Sequence, residues 1–149
     1  PTLITDDGLR LYDSPVICEY LDMKAGGGKL LPAGDARWPV LKLQALADGI
    51  LDAAILQVYE RRFRTEDKVH QPWLEMHQSK VDGALNWLEA NTPETGAHPT
   101  IGDVTLACAL DYLDFRFEGK WREGRPGLVA WLEAFAKAVP AYGETKPSD

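Results

Sequence analysis

The chain has 149 residues, 45% of them hydrophobic, with 16 basic and 23 acidic side chains and a formal net charge of −7. A chain of this length buries about 68–70% of the surface its unfolded form exposes, enough for a sizeable core. The acidic balance argues against nucleic acid or an anionic membrane face as partner, since both require a cationic surface; no apolar run approaches the roughly 20 residues of a spanning helix.

Residues 2–5 (TLIT) and 9–12 (LRLY) are short β-favouring runs on either side of Asp7-Gly8. Glycine takes the positive φ of a tight turn, so this stretch predicts a hairpin. In the following DSPVICEYLD, Ser14 is expected to cap a helix whose first position is Pro15, where a missing N–H costs nothing. Val16, Ile17, Tyr20 and Leu21 then recur at helical spacing. The glycine- and proline-rich KAGGGKLLPAGD reads as a linker. It is not a phosphate loop, because Leu30 stands where Ser or Thr would follow the lysine.

From there the pattern is helical. Asp35 is expected to cap a long segment that tolerates Pro39 near its first turn. Leu41, Leu43, Leu46, Ile50, Leu51, Ala54, Ile55 and Val58 cover more than half of its wheel, as in a helix packed on two sides. A second helix carries Trp73, Met76, Val81, Leu85 and Leu88 as its apolar positions. NTPETGAHP reads as loop. Thr100 and Asp103 then form the S/T-x-x-D/E signature of a capping box, in which hydroxyl and carboxylate exchange backbone N–H bonds. A last helix starts at Pro126 and stops before Pro140, leaving a polar tail expected to fray. Cys18 and Cys108 sit in apolar helical surroundings and read as buried free thiols of a reducing compartment. His70, His77 and His98 offer no metal spacing, since seven residues along one helix is about 10.5 Å of rise. They read as solvated polar positions, and no metal is expected.

Three stretches in register carry a resemblance to the glutathione transferase family. The first comprises Pro1, Leu3, Asp7-Gly8, Leu11, Asp13-Ser14, Ile17 and Tyr20-Leu21; the second is Thr100 with Asp103; the third is Pro126, Leu128, Trp131 and Phe135. The fold this implies is mainly α: a family-type C-terminal helical bundle preceded by the last strand-strand-helix portion of a thioredoxin-like α/β domain. The implied division is residues 1–25 for the end of the glutathione-binding domain, 26–34 for the linker and 35–149 for the all-α domain.

The resemblance makes Pro1 a cis-proline opening a strand. It implies that a segment precedes it and carries the catalytic Tyr, Ser or Cys, so no catalytic residue is expected in this chain and the chain alone is expected to be inactive. It assigns Asp13, Ser14 and Pro1 to glutathione binding, Asp13 and Ser14 at the γ-glutamyl end. The serine and the first helical N–H groups would take the α-carboxylate, and Asp13 the α-ammonium; the family more often has Glu at that position. Capping alone also accounts for an Asp-Ser pair before proline. Tyr59, Arg62 and Asp52, with Glu60 and Asp48 nearby, are candidates for the hydrophobic-substrate site, surface or subunit contacts being the competing reading. Tyr112 and Phe115 are assigned to the core, and Thr100 and Asp103 to folding.

The expected function is therefore a cytoplasmic, homodimeric, bacterial-type glutathione transferase, with glutathione as substrate and a small hydrophobic electrophile as its partner. A non-catalytic transferase-fold binding protein, or a glutathione-dependent isomerase or dehalogenase, are the alternatives left open.

Overall fold

The computed structural model describes residues 1–94 and 98–146. Its elements are β1 (Leu3–Ile4), β2 (Arg10–Leu11), α1 (Ser14–Lys24), α2 (Arg37–Phe63), α3 (Gln71–Ala90), α4 (Ile101–Phe117), α5 (Pro126–Ala138) and α6 (Pro140–Glu144). The strands form an antiparallel hairpin with Leu3 opposite Leu11 and Ile4 opposite Arg10. Gly8 turns it at φ +87°, the left-handed region that a side chain disfavours.

The core lies where α2, α3, α4 and α5 meet, and Ile50, Leu85, Leu88, Leu106, Leu110 and Leu128 are its largest fully buried side chains. Its spine is α2. The buried face of α2 carries Ala47, Ala53 and Ala54 around Ile50, with Gln44, Gln57 and Glu60 also buried, and the alanines let neighbouring helices approach closely. The contact with α4 is tightest at Gly102, where an added Cβ would lie 2.8 Å from the Val40 carbonyl oxygen. Thr100 and Asp103 start α4: the Thr100 hydroxyl accepts the Asp103 N–H (3.3 Å), and the Asp103 carboxylate accepts the Thr100 N–H (2.7 Å). The start of α5 is capped from another helix, as Glu89 of α3 accepts the Gly127 and Leu128 N–H groups at 2.9 Å. Among the described residues no helix is long and apolar enough to cross a membrane.

Several expectations are corrected. Asp13, not Ser14, is the N-cap of α1: its backbone is extended (φ −91°, ψ −171°) and its carboxylate accepts the Ser14 N–H, so Ser14 is already the first helical residue. Asp35 makes no side-chain cap. A 3-10 turn over Gly34–Ala36 runs straight into α2 and offers the Gly34 carbonyl to the Arg37 N–H, which serves that amide without a side chain. On α3 the buried stripe is Leu74, His77, Val81, Leu85 and Leu88, while Trp73 and Met76 are 39% and 41% exposed. The stripe is displaced from the expected one at its start, and it carries His77 inside. His77 is 3% exposed, and neither ring nitrogen has a partner among the described residues. His70 and His98 are exposed.

Cys18 is half-buried and Cys108 exposed, both as free thiols; Cys108 faces a cleft, not the core. The expected frayed tail holds α6 instead. Its Tyr142 ring packs edge-on against Phe135, with centroids 5.6 Å apart, and its hydroxyl donates to Asp111 at 2.9 Å. The expected loop around residue 95 and the last three residues lie partly or wholly outside the described residues.

Candidate functional site

The start of α1 presents Asp13 and Ser14 to solvent, side by side. One carboxylate oxygen of Asp13 is occupied by the Ser14 N–H, and the Ser14 hydroxyl lies 3.3 Å from that same oxygen. The second Asp13 oxygen remains open to solvent, next to the positive end of the helix dipole. A hydroxyl and helical amides at this end suit an anion, and the carboxylate beside them suits a cation. Pro1 is exposed.

What holds α1 in place was not read from the sequence. Asp22 is 5% exposed, and its carboxylate accepts the backbone N–H groups of Lys29 (3.1 Å), Leu30 (2.9 Å) and Leu31 (3.4 Å). The Leu30 carbonyl in turn accepts the Ile101 N–H at 2.8 Å. Asp22 thus ties the end of α1 to the start of α4 through the connecting segment. These backbone bonds, Leu30 first, hold its carboxyl below the ordinary carboxylate range. An aspartate inside an apolar helical stretch that precedes a glycine run was the available signal. A second tie is the pair between Arg37 and Glu19 at 2.8 Å.

Beyond α1 lies Asp48 of α2, half-buried. Burial first, then the carboxylates of Asp52 and Asp13, push its pKa upward. Asp13 therefore shares an electrostatic neighbourhood with the middle of α2. Cys18 belongs to it too, its thiol raised by burial and then by Asp48. Cys108 is raised by burial, by Asp111 and by Cys18. Both thiols hold their protons at neutral pH.

A cavity of about 290 Å³ opens between α2, α4 and α6, lined by Leu51, Cys108, Asp111, Tyr112, Phe115 and Tyr142, among others. Of the two α4 aromatics expected in the core, Phe115 is 39% exposed and lines this cavity, whereas the half-buried Tyr112 packs against the core and also borders the cavity. The Tyr142 hydroxyl and the Lys146 ammonium, 3.1 Å from Asp111, fasten α6 along the rim. Burial and the Asp111 carboxylate push the Tyr142 phenol far above its usual range.

The three substrate-site candidates do not converge. Tyr59 lines a separate open groove of about 820 Å³ at the end of α2, with Leu56, Phe63 and Trp73. Asp52 is exposed on α2 two turns before Tyr59, outside the lining of that groove. Arg62 is exposed and lies over the Phe63 ring, 5.8 Å from its centroid. Glu60 is engaged structurally, accepting the His70 N–H (3.0 Å) and pairing with Arg64 (2.8 Å). Among the described residues no group of His, Cys, Asp or Glu is arranged to hold a metal ion.

Residues 71–134 match the family described as "Glutathione S-transferase, C-terminal domain". The uncharacterized GST-like protein YibF of Escherichia coli (strain K12) is 32% identical over 152 aligned positions, covering 94% of this chain and 74% of that protein. A glutathione transferase family member from Pseudomonas fluorescens Pf-5, solved with bound glutathione, superposes with a TM-score of 0.93 at 42% identity, over 100% of this chain and 74% of that one. A second structure of a family member from that strain, with bound S-(propanoic acid)-glutathione, gives 0.91 at 40% identity, over 100% of this chain and 77% of that one.

Proposed function

The chain belongs to the glutathione transferase family, and from that premise we propose that it holds the γ-glutamyl end of glutathione at Asp13 and Ser14 and a compact electrophile in the cavity between α2, α4 and α6. The observation that carries this reading is the superposition of the entire chain on relatives that hold glutathione, with Asp13 and Ser14 exposed at a helix start.

The chemistry is physically coherent. The free Asp13 oxygen pairs with the α-ammonium, and the Ser14 hydroxyl with the helix start takes the α-carboxylate. Since Cys18 and Cys108 stay protonated, the sulfur nucleophile is that of glutathione. The share of catalysis assigned to this chain is positioning, which brings the glutathione sulfur to the electrophile and excludes water between them. We place the protein in the cytoplasm, where its free thiols remain reduced. We also propose that it acts as a homodimer.

Titration calorimetry with glutathione tests the first half. Asp13→Ala is expected to weaken binding by about 1.5–3 kcal/mol, the contribution of a hydrogen bond to a charged group. Unchanged affinity would return Asp13 to a purely capping role. Thioether formation from glutathione and 1-chloro-2,4-dinitrobenzene, followed by absorbance on the protein carrying the segment expected before Pro1, tests the second half; glutathione affinity without turnover there would support a binding protein instead.

A further inference from the structure

We propose that Asp22 is a positioning residue for the transfer reaction: through the Leu30 backbone it fixes α1, the helix that carries the glutathione site, against the start of α4, and so sets where the glutathione sulfur stands relative to the electrophile. The proposal deepens the glutathione reading above and rests on it.

Asp22 stands near the end of α1, at the negative end of the helix dipole, where a carboxylate is unfavourable. It is 5% exposed, and no Lys or Arg pairs with it among the described residues. A buried charge in an adverse field needs other groups to satisfy it. Backbone amides do so here: one oxygen accepts the Lys29 and Leu30 N–H groups and the other accepts that of Leu31. The turn after α1 is shaped for this contact. Gly27 and Gly28 both take φ +73°, which reverses the chain and brings the next residues back beside the helix end.

Leu30 passes the link on. Its N–H lies 2.9 Å from the Asp22 carboxylate, and its carbonyl accepts the N–H of Ile101, the first residue of α4, at 2.8 Å. Packing alone sets α1 less firmly, because a cavity of about 90 Å³ remains beneath it, lined by Cys18, Leu31, Leu41 and Ile101 among others. The Arg37–Glu19 pair is the other polar tie, and it lies at the surface, where water screens it.

Asp13 and Ser14 lie at the opposite end of α1 from Asp22, whereas the cavity proposed for the electrophile lies between α2, α4 and α6. A tilt of α1 on the bundle therefore moves glutathione relative to the electrophile and leaves Asp13 and Ser14 intact. Misplacement by about 1 Å costs on the order of 10²-fold in rate, while a ligand held at one end alone keeps its affinity.

Asp22→Ala removes all three acceptor bonds, and Asp22→Asn keeps one oxygen for the Lys29 and Leu30 N–H groups. Both are compared with wild type in the protein carrying the segment expected before Pro1, by calorimetry with glutathione and by turnover with 1-chloro-2,4-dinitrobenzene. The value of kcat is expressed per glutathione site titrated. Asp22→Ala should bind glutathione within about twofold of wild type and lose about 10- to 100-fold in kcat, and Asp22→Asn should lose about threefold. A role in stability alone lowers the number of titrated sites and leaves kcat per site unchanged; that result overturns the proposal. So does a loss of glutathione affinity equal to the loss in kcat, and so does an asparagine variant as slow as the alanine one. A wild type that binds no glutathione, or binds it without turnover, instead overturns the reading on which this one rests. If Asp22→Ala does not fold, the asparagine variant and amide exchange in the wild type decide: Leu30 and Leu31 N–H groups that exchange at the rate of an open chain overturn the link.

Discussion

At the scale of single residues, His77 has the clearest energetic consequence. Its ring sits between α3 and the core with both nitrogens unpartnered, packed edge-on to Trp73 at 4.4 Å. Burial, with a smaller push from Lys80, lowers its pKa below the ordinary value of 6.5. Between that folded value and the unfolded one, the unfolded chain binds more protons. His77 therefore favours the fold above about pH 6.5, and this contribution is lost as the pH falls toward the folded pKa, with a slope of at most about 1.4 kcal/mol per pH unit. His77→Leu should remove that part of the pH dependence and leave stability at pH 7.5 unchanged or about 1 kcal/mol higher, because an unsatisfied polar group is replaced by an apolar one. Urea unfolding of both proteins between pH 5.5 and 7.5 measures the difference, and parallel curves would show that the ring titrates freely. The sequence held the information: Leu74, His77, Val81, Leu85 and Leu88 lie at core spacing. Trp73 and Met76 masked it, because large apolar side chains outweigh a histidine in any pattern read by hydrophobicity.

At the scale of elements, the close approach of α4 to α2 depends on Gly102. A Cβ there would meet the Val40 carbonyl oxygen at 2.8 Å and the Leu43 Cβ at 3.1 Å. Alanine gains about 1 kcal/mol of helix propensity over glycine. Overpacking costs about 1–3 kcal/mol, and a backbone oxygen cannot rotate aside. The steric effect wins, so Gly102→Ala should lower Tm by about 2–4 °C for each kcal/mol lost; a rise in Tm would mean that the helices separate freely. Long helices with a regular apolar period, and α4 with its cap at Thr100 and Asp103, were legible because their signals are local. The hidden elements depend on distant partners. Asp22 reads as a surface charge until the Lys29–Leu31 amides fold back on it. The α6 segment reads as a polar tail until Tyr142 finds Asp111 and Phe135. Phe115 was assigned to the core because an aromatic in a helix reads the same whether it meets side chains or a cavity. Asp13 and Ser14 stood out through the motif, but the division of labour between cap and first helical residue is a matter of dihedral angles that spacing does not encode.

At the scale of the whole molecule, the outer face of α2 and α3 favours the proposed homodimer. Trp38, Leu56 and Phe63 of α2 are 65%, 38% and 72% exposed, and Trp73, Met76 and Trp87 of α3 are 39%, 41% and 44% exposed. Between the aromatic ends, Gly49 and Gly83 have open space where a Cβ would stand. Large apolar side chains gathered on one face mark an association surface, whereas scattered ones are ordinary. Aromatic anchors around a flat centre let another helix pair come close. Of the charges on this face, Lys42 is drawn over the Trp87 ring at 5.2 Å, and Asp52 is exposed between Gly49 and Leu56. Light scattering behind size exclusion should therefore give twice the chain mass across a hundredfold range of concentration. Phe63→Glu places a charge among the aromatics without touching the core, and should weaken association by at least about 2 kcal/mol, roughly thirtyfold, with an unchanged unfolding transition for the monomer. A wild-type protein that stays monomeric at every concentration would rule the dimer out. A Phe63→Glu variant that remains fully dimeric would move the interface away from this end of α2.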